Sequence, residues 1–122
     1  MGTFLAVLAV GLSASGPATA DLLLREFAVC AGRLSALMED QWMFDGPGSE
    51  RTGAELAAMV SLITASIAPG EGRRVLAWRI DAKVAQRSLL NQARFGEDRR
   101  MAKAAAARAD ALTAECRAMI LS

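Results

Sequence analysis

Apolar residues recur at three- and four-residue steps along most of this chain, and breakers interrupt the pattern. That spacing places the apolar side chains on one face of an α-helix and does not fit the alternation of a half-buried strand. A first helix is predicted from about Asp21 to Phe44, with Leu23, Phe27, Cys30, Leu34, Met38 and Trp42 on its core face. The stretch Asp45-Gly46-Pro47-Gly48-Ser49 reads as a loop. A second helix is predicted from about Glu50 to Ala68, with Leu56, Val60, Ile63 and Ile67 inward. Its start falls at Ser49 or Thr52, since Thr52 and Glu55 have capping-box spacing. After Pro69-Gly70, a third helix runs from about Gly72 to Phe95 on the stripe Leu76, Ile80, Val84, Ser88 and Asn91. Gly96 is a candidate C-terminal cap. A fourth helix is predicted from about Glu97 to Ile120, aligning Met101, Ala105, Leu112, Cys116 and Met119.

Short connections between amphipathic helices favour antiparallel neighbours, so the expected fold is all-α: a small up-down-up-down four-helix bundle. A three-helix bundle, with the third and fourth segments continuous through Gly96, is the alternative. Composition agrees with the helical reading. Only 5% of residues are aromatic and none is Tyr, whereas sheets draw on aromatic and β-branched side chains.

The N-terminus carries a different signal. Phe4 to Leu12 is an apolar run, Ser13 to Pro17 breaks it, and Ala18-Thr19-Ala20 has small residues at both positions of a cleavage site. This is the layout of a secretory signal peptide over residues 1–20, which leaves 21–122 as a single helical domain. The run is too short to span a bilayer. Arginine outnumbers lysine twelve to two and alanine is frequent; this GC-rich codon usage points to a bacterial periplasm. A retained N-terminal anchor is the competing expectation.

Export gives the two cysteines a meaning, because an oxidising compartment favours a disulfide. Cys30 and Cys116 each sit on the apolar stripe of their helix. Pairing the first helix against the last brings both chain ends together and the two cysteines with them, so a Cys30–Cys116 disulfide is predicted.

Catalytic machinery is sparse. The chain has no His, the commonest general base and metal ligand. There is no C-x-x-C pair, no glycine-rich phosphate loop and no cysteine–histidine zinc pattern. No cofactor or metal is implied. Glu39-Asp40 reads as a solvated acidic pair, and Met38, Met43, Met59, Met101 and Met119 read as core filling.

Charge divides between the halves. Residues 21 to 70 hold three basic and seven acidic side chains, net −4; residues 71 to 122 hold eleven and six, net +5. Either the halves attract across the bundle, or Arg73, Arg74, Arg79, Lys83, Arg87 and Arg94 meet an acidic partner. Nucleic acid is not expected, since the aromatic interleaving of a stacking platform is missing. From Leu56 to Gly70 no residue is charged, so Ala57 and Ser61 mark a helix face that seeks cover. Trp42 and Trp78 either cap the core or anchor a partner.

The expected function is an exported, non-enzymatic helical-bundle protein that binds another protein, or itself, in an envelope assembly. A membrane-surface or N-terminally anchored envelope protein is the alternative. After signal cleavage, membrane association is not expected.

Overall fold

The computed structural model describes residues 17–121 together with Gly2, Thr3, Ala6 and Gly11. Most of the apolar run Phe4 to Leu12 lies outside these residues. Four helices are present: α1 (Pro17–Phe44), α2 (Gly46–Ser66), α3 (Gly72–Phe95) and α4 (Arg99–Leu121). No strand occurs among the described residues.

α1 begins at Pro17, four residues before the expected Asp21, and runs through Ala18–Ala20; α2 also begins before its expected start. The expected Asp45–Ser49 loop is the first turn of α2, with Asp45 as its N-cap. The Asp45 carboxylate accepts from the Gly48 N–H at 3.1 Å. A proline within the first turn costs nothing, because the first N–H groups of a helix have no intrahelical acceptor to lose. Thr52 is therefore not a cap but a buried residue inside α2. At the other break, the Gly96 N–H donates to the Gln92 carbonyl and closes α3. The Asp98 carboxylate accepts from the N–H groups of Arg100 and Met101, at 2.9 and 3.1 Å, and starts α4. These two caps separate α3 from α4, so the described residues form four helices rather than three. Gly70, at φ 87°, makes the turn between α2 and α3 in a conformation that an L side chain disfavours.

Helix directions alternate along the chain, yet the closest backbone packing does not follow sequence order. α1 lies between α2 and α3, which do not approach each other. α1 and α3 run parallel. Side-chain pairs Asp21–Arg74, Glu39–Lys83 and Asp40–Arg94 advance in the same direction along both helices. Their nearest approach is at Gly32, where a Cβ would stand 2.2 Å from the Arg79 carbonyl oxygen and 2.9 Å from the Lys83 nitrogen. α4 packs chiefly on α3, through buried Ala102, Ala105 and Ala109, whose small side chains permit close contact. The core cluster gathers Leu24, Phe27, Ala28, Ala31 and Leu34 from α1, with Met59, Ile63, Val75 and the two cysteines.

Cys30 and Cys116 form the disulfide, with Cα atoms 5.4 Å apart. Both are buried. The bond joins α1 to the antiparallel α4 where backbone contact between them is slight, so a covalent tie stands in for packing. It closes a loop of 86 residues.

Several placements depart from the periodicity. Leu76, Ile80 and Val84 are 54, 51 and 63% exposed, although the pattern puts them in the core. α3 turns Val75, Ala82 and Gln86 inward instead, a row about 140° around the helix from the expected one. Leu23 and Trp42 of α1 are exposed as well. Of the five methionines after Met1, Met59 is fully buried, Met38 and Met119 are partly so, and Met43 and Met101 are exposed.

Two tests follow from this packing. Gly32→Ala should destabilise the fold by about 2 kcal/mol or more, because the added methyl meets rigid backbone; chemical denaturation measures it. Replacing both Cys30 and Cys116 with Ala should cost about 2–5 kcal/mol, read as a lower denaturation midpoint of the non-reduced protein.

Candidate functional site

The outer face of α3 is the most distinctive surface. Leu76, Ile80 and Val84 stand at i, i+4 and i+8, a spacing that aligns them along one side of the helix. Leu76 and Ile80 also border a groove of about 220 Å³ that reaches α1 at Gly32 and Ser35. Arg79 and Lys83 line the same groove. Arg73 and Arg79 have no carboxylate within ion-pair distance among the described residues. An apolar row flanked by unpaired cations is suited to an amphipathic partner with acidic flanks.

The charge division of the sequence resolves largely inside the molecule. Lys83 Nζ donates to Glu39 at 2.8 Å, and Arg87 pairs with the other Glu39 oxygen. Arg94 grips Asp40 with two bonds of 2.7 and 2.8 Å. Arg74 bridges Asp21 and Glu71, and Arg117 meets Glu55 at 2.7 Å. Four of the six basic residues singled out on α3 are thus paired to carboxylates, most of them on α1. Glu39 and Asp40 are not a solvated acidic pair; both are committed to α3. Hydrogen bonding from Lys83 holds the Glu39 carboxyl below the usual carboxylate range, with the charges of Lys83 and Arg87 reinforcing it against burial. The Asp40 contact holds Arg94 above its ordinary value.

The remaining candidates are scattered. Trp42 is 62% exposed at the C-terminal end of α1, beside exposed Met43 and Phe44. Phe44 packs on Phe95 with ring centroids 6.4 Å apart, and the Arg94 guanidinium lies 3.7 Å from the Phe44 centroid. Trp78 is half-buried near the opposite end, with the guanidinium groups of Arg25 and Arg74 over its ring. Ala57 and Ser61 are exposed on α2. The hydroxyls of Ser61, Thr64 and Ser66 donate back to carbonyls four residues earlier, so that face spends its polar groups on its own helix. These four residues do not converge. Periodicity alone could not reveal the α3 surface, because it assigns that surface to the core.

No described helix is long and apolar enough to cross a membrane. Comparison with protein-family models, curated proteins and solved structures finds no match to this chain. The functional reading therefore rests on the surfaces themselves.

A folded-state pKa depressed at Glu39 adds stability above the ordinary glutamate value of about 4.3 and loses it as pH falls through the lowered value. Glu39→Gln should cost no more than about 1 kcal/mol at pH 7, given the partial exposure of the pairs. Its deficit relative to the parent should shrink as pH falls below the ordinary glutamate range, as urea titrations at neutral and acid pH would show.

Proposed function

We propose that this is an exported, non-enzymatic helical-bundle protein that holds a second protein against the outer face of α3. The observation that carries the reading is the exposed row Leu76, Ile80 and Val84 on a bundle whose core is filled without it. Each side chain has about half its surface left to bury, worth roughly 1 kcal/mol apiece. The unpaired Arg73 and Arg79 select the partner: an amphipathic helix whose apolar face is bordered by Asp or Glu. A second copy of the chain fits less well, since two such rows would bring like charges together.

Export is supported by the A-x-A layout ending at Ala20 and by the disulfide. The non-enzymatic reading is supported by the lack of His anywhere in the sequence and by cations and carboxylates that mostly neutralise each other across α1 and α3. A periplasmic envelope assembly is the setting this reading gives it. In that setting the mature chain begins at Asp21, and intact-mass measurement of the native protein checks this; a retained residue 1 would favour the anchored alternative.

A photoreactive residue at Leu76 should cross-link in the envelope to a protein segment that is amphipathic and acidic on peptide mapping. Ile80→Glu with Val84→Glu should abolish that product while moving the melting temperature by only a few degrees, since both positions are exposed. Ala57→Glu with Ser61→Glu, on α2, should leave it intact. Cross-linking to a second copy, to lipid, or to nothing would defeat the reading.

A further inference from the structure

Because α1 and α3 run parallel, the α1–α2 and α3–α4 turns lie side by side at one end of the bundle. Asp45 alone separates α1 from α2, and Gly96 to Asp98 separate α3 from α4. This end carries large apolar side chains that the core does not use. Trp42, Met43 and Phe44 close α1, Phe95 closes α3, and Met101 lies in the first turn of α4. All of them are exposed, Met43 by 72% and Phe95 by 67%. The Phe44 and Phe95 ring centroids, 6.4 Å apart, join the two turns. Such a concentration of exposed apolar side chains marks a contact surface.

Cations border it. Arg99, Arg100 and Lys103 are exposed on the first two turns of α4, and none has a carboxylate within ion-pair distance among the described residues. Most carboxylates at this end are committed elsewhere. Asp45 and Asp98 accept from the first N–H groups of α2 and α4, and Asp40 holds Arg94. Glu50 and Glu97 remain as exposed acids. Trp and Phe beside Arg and Lys is the composition favoured at a membrane–water interface, where rings settle at headgroup level and cations meet lipid phosphates. A fluid interface accepts side chains from separate turns without the matched shape that a protein partner must supply. No described helix is long and apolar enough to cross a membrane, but a surface contact needs no such helix.

We infer that this end of the bundle docks on an anionic phospholipid surface. Trp42, Met43, Phe44 and Phe95 enter the headgroup region, and Arg99, Arg100 and Lys103 meet lipid phosphates. Leu76 lies 19 residues before Phe95 on α3, which places it about 28 Å back along the helix. The α3 outer face therefore stays clear of the lipid, and neither proposal needs the other.

The test uses the disulfide-intact protein carrying Trp78→Phe, which leaves Trp42 as the fluorescent reporter. The probes are vesicles of phosphatidylcholine alone and of phosphatidylcholine mixed with phosphatidylglycerol, each made also with lipid brominated near the headgroup end of its chains. The protein should float with the anionic vesicles, and their brominated form should quench Trp42 about twofold or more. Trp78, the reporter in Trp42→Phe, should stay unquenched, because it lies 17 residues before Phe95 towards the opposite end of α3. Met43→Glu with Phe95→Glu, shown to be folded by circular dichroism, should lower vesicle affinity about tenfold or more. Arg99→Gln, Arg100→Gln and Lys103→Gln together should lower it on anionic vesicles alone, by roughly fivefold for each cation at such a surface. No flotation, equal affinity for both kinds of vesicle, quenching of Trp78 in place of Trp42, or flotation that survives Met43→Glu with Phe95→Glu would overturn the assignment. Dimerisation without lipid that this pair abolishes would give the end to a second copy and overturn it as well.

Discussion

The close approach of α1 to α3 at Gly32 governs this molecule. Only a residue without a Cβ lets the α3 backbone come so near, at the Arg79 carbonyl and the Lys83 nitrogen. Two parallel helices at that separation bring like ends of their backbone dipoles together, which is unfavourable. The side chains answer this. Carboxylates on α1 meet cations on α3 at Asp21–Arg74, Glu39–Lys83, Glu39–Arg87 and Asp40–Arg94. Together they span most of the shared length and fix the rotation of α3 about its axis.

That rotation explains the surfaces. With Lys83, Arg87 and Arg94 turned toward α1, the row Val75, Ala82 and Gln86 faces inward and the row Leu76, Ile80 and Val84 faces out. α2 does not cover it, because α2 lies beyond α1 and never reaches α3. On the opposite side, α4 leans on α3 through its alanines and is tied to α1 chiefly by the Cys30–Cys116 bond. The space this leaves between α1, α3 and α4 is a cleft lined by Arg25, Arg33 and Arg108. The exposed row and the cleft are thus products of one choice of helix neighbours.

Much of the architecture was legible in the chain. Three- and four-residue apolar spacing specified helices, and α3 runs from Gly72 to Phe95 as its pattern indicates. The disulfide was legible because each cysteine lies on the apolar stripe of a terminal helix, and antiparallel pairing of those helices aligns them. The Asp45–Ser49 stretch was misread because Gly and Pro break helix interiors but are tolerated in a first turn. The basic cluster on α3 was legible as charge, but not as charge already matched by Asp21, Glu39 and Asp40.

The sequence by itself determined the helices, their order and the covalent tie, because periodicity, capping and cysteine placement act within a turn or depend on simple antiparallel pairing. Which helix lies against which, and which side of α3 is wet, was decided only in the tertiary structure. A stripe of Leu, Ile and Val records a preference for burial worth roughly 1–3 kcal/mol per residue. It cannot record that a glycine on another helix, 44 residues before Leu76, offers a closer fit to the neighbouring face. Nor can it record that four ion pairs hold α3 in that orientation.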